Sequence, residues 1–212
     1  MAGTLNGITV LEASIHLPRI GVWWADIVLD GDVSLAGTAT LSYPGWSEDV
    51  VGAVADGGET KHGRIPLRMV GGAGKLAEDL PAKAYQGAPV LLPVRDVLEE
   101  AGEELSSSVT SGLDLVLNHW VRTARPAHQC LGMLARKAGF AWRFLPDGTF
   151  WFGDENWPEA SITYDLMDEQ PEQDAVLIAT DDLLLPGTTF RSRHVERVCV
   201  SPHESRTKVW FG

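Results

Sequence analysis

The chain has 212 residues, enough for one domain or two small ones, and 29 acidic against 17 basic residues leave a formal charge of −12. That balance excludes a broadly basic surface of the kind that grips nucleic-acid phosphates. An apolar fraction of 44% with 22% charged residues excludes a disordered chain, and no apolar run approaches the roughly 20 residues of a membrane span. Met1 to Asn6 offers neither a basic nor an apolar segment, so no signal peptide is expected. Two cysteines, Cys130 and Cys199, are too few for a disulfide framework or a four-cysteine zinc site. The expectation is a soluble protein of a reducing compartment.

The first 70 residues read as antiparallel strands with one buried face, because apolar side chains recur at every second position. Leu11, Ala13, Ile15 and Leu17 form one such series, and Trp23, Ala25, Ile27 and Leu29 a second, with a turn at Asp30-Gly31-Asp32. Leu35 to Tyr43 continues the pattern, and short strands fit Val50 to Ala55 and Ile65 to Val70. The polar, Gly-rich run Asp56 to Gly63 between them reads as an exposed loop.

The period then changes. Val94, Val97, Leu98, Ala101 and Leu105 fall at helical spacing behind Pro93, with Glu99, Glu100, Glu103 and Glu104 on the other side as a solvated face. A second helix spans Pro126 to Ala138, capped by Gly139. Pro146-Asp147-Gly148 between Phe140 to Leu145 and Thr149 to Phe152 reads as a β-hairpin, since Asp-Gly supplies the turn geometry that matches strand twist. Short strands follow near Val176 to Ala179, Phe190 to Val200 and Thr207 to Phe211. The fold class is β-rich (α+β), with two or three helices and small barrels or sandwiches.

Residues that could carry chemistry are sparse. Gly71-Gly72-Ala73-Gly74-Lys75-Leu76 invites a phosphate-loop reading, but Met69 stands where the first Gly is needed and Leu76 where a Ser or Thr would hold magnesium. A flexible turn is the expectation. His194, Cys199 and His203 lack a fourth ligand and match no zinc spacing, and strand alternation separates His194 from Cys199. His119, His128 and Cys130 fare no better, Cys130 falling on an apolar helix stripe. No Gly-x-Ser-x-Gly run exists. Neither catalytic residues, a metal nor a cofactor is expected.

The eight tryptophans and the charge distribution are more informative. Trp23 and Trp24 are adjacent, so in a strand one serves the core and the other faces outward. Trp46, Trp157 and Trp210 are read as lying beside Gly or Pro turns. Exposed tryptophans are favoured interface anchors, which makes Trp23, Trp24, Trp46, Trp157 and Trp210 candidate contact residues. Eleven acids and no Lys or Arg lie between Arg143 and Arg191, whereas five bases and two acids follow from Arg191 to Gly212. Arg191, Arg193 and Arg197, spaced to project from one strand face, are expected to meet acidic groups of a neighbouring molecule.

The order of segments resembles the baseplate hub proteins of tailed bacteriophages, including the late-control hubs and the N-terminal part of type VI secretion spike proteins. The resemblance rests on Leu17 to Gly21 followed by Trp23-Trp24-Ala25-Asp26, on Gly71 to Leu76 with Asp79 to Tyr85, and on the helix containing Glu100-Ala101-Gly102-Glu103. It continues through His128 to Ala135 into Trp142-Arg143-Phe144 and the Asp-Gly hairpin, then Leu185-Pro186-Gly187-Thr188 and Arg206 to Trp210. It implies two small tube-like antiparallel β-barrels, residues 1–83 with 175–212 and residues 84–174, in a ring-forming homotrimer. It further implies a tail-tube protein, a spike protein and other baseplate proteins as partners, no enzyme activity, no membrane, and DNA passing only transiently through the lumen. The place implied is the virion tail baseplate, assembled in the host cytoplasm. Asp165, Asp168 and Glu169 are the candidate lumen residues, since an acidic lining would not retain phosphates. The competing reading is a glycan- or small-molecule-binding β-domain, or a hydrolase built on one, using Asp147, Asp154 and Glu155 near Trp151 and Trp157.

Overall fold

A computed structural model of the chain describes residues 3–32, 34–60, 62–108 and 113–212. The first six strands are β1 (Thr4–Leu5), β2 (Ile8–Pro18), β3 (Trp24–Asp30), β4 (Gly37–Ser42), β5 (Val50–Gly57) and β6 (Arg64–Gly71). They pair antiparallel in the order β1-β4-β5-β6-β3-β2, and β1 pairs back onto β2, which closes a barrel. Closure removes the free edges that an open sheet of this kind would carry. Ile15, Ala25, Ile27, Leu29, Leu41, Val50, Ile65 and Met69 fill the interior. The alternation expected of β3 is met, as Ala25, Ile27 and Leu29 are all buried. In β2 a bulge between Val10 and Glu12 shifts the parity, so Val10 points inward in place of Leu11. Lys61, in the loop after β5, lies outside the described residues.

The middle of the chain contributes β7 (Asp79–Leu80), β8 (Lys83–Pro89), α1 (Leu91–Ala101), β9 (Val116–Arg122), β10 (Arg125–Pro126), α2 (Ala127–Ala138), β11 (Ala141–Phe144) and β12 (Phe150–Gly153). Helix α1 begins before the expected Val94 and places Pro93 in its first turn. It stops at Gly102, whose φ of 75° turns its backbone N–H onto the carbonyls of Leu98 and Glu99, short of the expected Leu105. Helix α2 ends at Ala138 with Gly139 left-handed, as its sequence signals. The Asp-Gly hairpin forms with Phe144 opposite Phe150.

The last part holds β13 (Asp165–Gln170), β14 (Ala175–Ala179), β15 (Thr189–Phe190), β16 (Arg193–Ser201) and β17 (Arg206–Phe211). Strand β2 is long enough to be shared: Ile8 and Thr9 pair with β1, while Ile15 to Pro18 pair with β16. From there the sheet leaves the barrel as β16-β17-β14-β13, with β15 on β16. Among the described residues there are two α-helices and one six-stranded closed barrel with extra strands. This corrects the expectation of two barrels. Residues 84–174 supply two hairpins, β8–β9 and β11–β12, which share no ladder with each other, and β13, which pairs with β14 of the large sheet, so the described residues show one closed cylinder.

Candidate interaction surface

The outer face of the shared sheet gathers several of the singled-out residues. Trp24 lies opposite His16, His16 opposite Cys199, and Cys199 opposite Lys208, a row that crosses β3, β2, β16 and β17. The rings of His16 and Trp24 stack at 4.7 Å with 8° between planes. Cys199 Sγ lies 3.9 Å from His16 Nε2 and 3.7 Å from Ser14 Oγ. Burial holds the His16 pKa below its ordinary 6.5, against the opposing pull of nearby Asp26. One step along, Arg197 faces Trp210 with its guanidinium carbon 3.9 Å from the ring centroid, and Lys208 Nζ lies 5.0 Å from the same ring. Trp24 and Trp210 are half-buried and Arg197 is exposed. Two half-buried indoles on one rigid sheet face, Trp24 stacked on His16 and Trp210 flanked by two cations, have the composition of an interface anchor.

The other candidates lie elsewhere. Trp23 is a core residue, 1% exposed. Its ring lies so close to Gly52 and Gly71 that a Cβ on either would fall 2.6 Å or 2.7 Å from it. Glycine at both positions is what admits the indole. Trp46 packs on Tyr43 at 4.8 Å, and Trp157 stacks on His194 at 3.9 Å with Arg19 over its ring.

The three arginines do not share a face, because a bulge between Val195 and Arg197 resets the alternation of β16. Arg191 precedes the strand in a left-handed turn, φ 53°. Arg193 lies over Phe211 and Arg197 over Trp210, adjacent β17 residues on opposite faces. The same bulge puts His194 and Cys199 on one face, contrary to the plain alternation; His194 stacks on Trp157 while Cys199 sits beside His16. Acidic partners for two of the arginines come from this chain itself. Arg191 pairs with Glu169 at 2.8 Å, and Arg193 pairs with Asp174. Asp165, Asp168 and Glu169 are exposed on β13, the last strand of the sheet, where Asp168 accepts a hydrogen bond from Gln170.

The partners of three carboxylates were not visible in the sequence. The Glu103 carboxylate accepts hydrogen bonds from the backbone N–H of Ala73, 2.7 Å, and Lys75, 2.8 Å. The Gly-rich turn is therefore an anion cradle, already filled by a carboxylate of the same chain. Glu100 pairs with the fully buried Arg122, whose Nε donates to the Pro81 carbonyl. The row of glutamates from Glu99 to Glu104 is thus only partly solvated. Glu155, 8% exposed at its side chain, pairs with Arg143, which also lies 4.2 Å over Trp151. Trp151 is buried, so it offers no open ring face to a sugar.

Comparison with known proteins bears on the whole arrangement. No family model matches the sequence, and no curated protein matches it. Solved structures do. The 43 kDa tail protein of prophage MuSo2 from Shewanella oneidensis is similar with a TM-score of 0.70 at 9% identity, over 98% of this chain and 95% of that one. The tail protein from Neisseria meningitidis MC58 gives 0.69 at 12% identity, over 98% and 94%. The chain has a phage tail protein fold. A type VI secretion component of Escherichia coli, described as structurally similar to the T4 bacteriophage tail proteins gp27 and gp5, gives 0.72 at 11% identity over 99% of this chain and 76% of that one.

Proposed function

We propose that the chain is the structural hub of a phage tail baseplate: a non-enzymatic homotrimeric ring that joins the tail tube to the central spike, within the virion, and lets DNA pass. The observation that carries this reading is the likeness to phage tail proteins over 98% of the chain and 94–95% of the relatives. In this reading residues 1–83 with 175–212 and residues 84–174 are two ring-forming units. Trp24, Arg197 and Trp210 contact a neighbouring subunit or tail protein, and Asp165, Asp168 and Glu169 face the lumen. A net charge of −12 suits a passage that must not hold phosphates, and an exposed acidic edge strand suits the same role. Mass photometry of the purified chain tests it. Trimers that fall apart in an Arg197→Glu, Trp210→Ala variant are expected; a monomer at every concentration, which also fails to bind tail-tube protein, overturns it.

A second reading, small-molecule binding, draws on one cavity of about 240 Å³ beside the Arg143–Glu155 pair, lined by Trp23, Leu145, Pro146 and Pro186. A ligand screen that raises the melting temperature and is abolished by Leu145→Trp would favour it over the hub.

A further inference from the structure

A groove of about 550 Å³ runs along α2 and has a basic lining on a net acidic chain. Arg125, His128 and Arg136 line it, and none of the described lining residues is Asp or Glu. On a chain with 29 acids and 17 bases such a lining is unusual. Neither arginine has a carboxylate partner among the described residues, a state shared with Arg64, Arg95 and Arg197, whereas Arg19, Arg68, Arg122, Arg143, Arg191, Arg193 and Arg206 have one. Arg125 Nε is buried with no hydrogen-bond partner among the described residues, and its Nη1 rests on Met133 Sδ, a weak acceptor. The Arg125 guanidinium thus lacks the anionic acceptor its charge favours, and a carboxylate in the groove it lines would supply one.

The groove also has a floor and walls. Gly132, facing it from α2, leaves a space in which a methyl group would lie 3.8 Å from Trp142 Nε1 and 4.0 Å from Arg136 Nη1. Two N–H donors therefore border the void that the missing side chain creates. Met133, Phe140 and Trp142, with the 46%-exposed Ile20, supply apolar walls. Donors without acceptors, set among apolar side chains, select an anion that carries apolar neighbours. A nucleic-acid backbone meets only half of that, and the field of a chain at −12 repels a polyanion while a single carboxylate is admitted at a local basic site.

We propose that the α2 groove is a carboxylate-binding site, which receives an Asp or Glu side chain flanked by apolar residues from another polypeptide. This stands independently of the hub reading.

The test uses the full-length chain, nitrogen-15 labelled at its indoles, with the Trp142 signal identified by Trp142→Phe. The probes are the capped peptide Leu-Asp-Phe-Glu-Leu, its neutral counterpart Leu-Asn-Phe-Gln-Leu, and inorganic phosphate. The acidic peptide is expected to shift the Trp142 signal saturably and at least tenfold more tightly than the neutral one. Arg136→Gln, a change at an exposed side chain, is expected to weaken it about tenfold, and Gly132→Leu to abolish it while the other indole signals stay in place. Equal binding of the two peptides, an unaltered affinity in Arg136→Gln, or phosphate binding more tightly than the acidic peptide would each overturn the proposal.

Discussion

Removing Glu155 should weaken, without breaking, the attachment of the β11–β12 hairpin to the barrel, which backbone bonds such as Gly21 N–H to the Trp142 carbonyl also hold. Its carboxylate holds Arg143 from β11 and lies 3.9 Å from Arg19 at the end of β2, while Arg19 in turn bonds Glu196 of β16 at 2.7 Å. In Glu155→Ala, the Arg143 guanidinium keeps only a 3.4 Å contact to the Arg19 carbonyl and its stack on Trp151. Side-chain exposures of 13% for Arg143 and 8% for Glu155 put this pair among buried ones. Stranding one partner of a fully buried pair costs 3–5 kcal/mol, so about 3 kcal/mol is expected here. For a chain of this size that lowers the melting temperature by about 6–12 °C. Replacing both partners, Arg143→Met with Glu155→Met, should cost only about 1 kcal/mol, because the adjoining cavity is walled by Leu17, Pro18, Leu145 and Pro146 and accepts apolar atoms. Urea titrations of the two single variants and the double variant measure this. A Glu155→Ala loss under about 1 kcal/mol, or a double variant as unstable as the sum of the singles, would refute the reasoning.

Other outcomes follow from the same contacts. Glu103→Gln should cost about 1–2 kcal/mol, since a neutral amide cannot accept from both Ala73 and Lys75, and hydrogen exchange at those two amides should quicken. Because the folded pKa of His16 lies below its unfolded 6.5, the fold binds fewer protons there. Its contribution is intact above pH 6.5 and is lost as pH falls through the folded pKa, so His16→Gln should show a smaller drop in melting temperature between pH 7.5 and 5 than the parent chain. Gly52→Ala should destabilise by about 1–3 kcal/mol or more, its Cβ falling 2.3 Å from the Val70 carbonyl oxygen and 2.6 Å from Trp23; a calorimetric midpoint equal to the parent's would show that the sheet yields there.

The barrel strands were legible because one face is buried and the other wet, as Ala25, Ile27 and Leu29 show in β3. Helix α2 was legible because its apolar stripe and Gly139 agree. What sequence could not reveal were features fixed by tertiary contact. Strand β13 is exposed along its length and carries no alternation to detect. Strands β8 and β9 pair with each other alone, and their inward residues, Tyr85, Ala88, Leu117 and Trp120, are broken in period opposite Gly87. The bulge in β16 undid the inference that Arg191, Arg193 and Arg197 share a face, and the partners Glu169 and Asp174 lie about twenty residues away in sequence. At the surface, Trp24, Arg197 and Trp210 were each singled out by type and local pattern. Their convergence came from the pairing of β2 with both β3 and β16, which no local signal encodes. The α2 groove was missed for a similar reason: it is marked by the absence of acids around Arg125 and Arg136, visible only once the neighbours are known.

The central claim is tested most directly by cryo-electron microscopy of intact tail particles that contain this chain, with its position marked by a tag at the exposed His62-Gly63 turn. The account predicts three copies arranged about the tail axis between tube and spike, with the outer sheet face of Trp24 and Trp210 covered by a neighbour. Particles that contain the tube and the spike but lack this chain at their junction would contradict it.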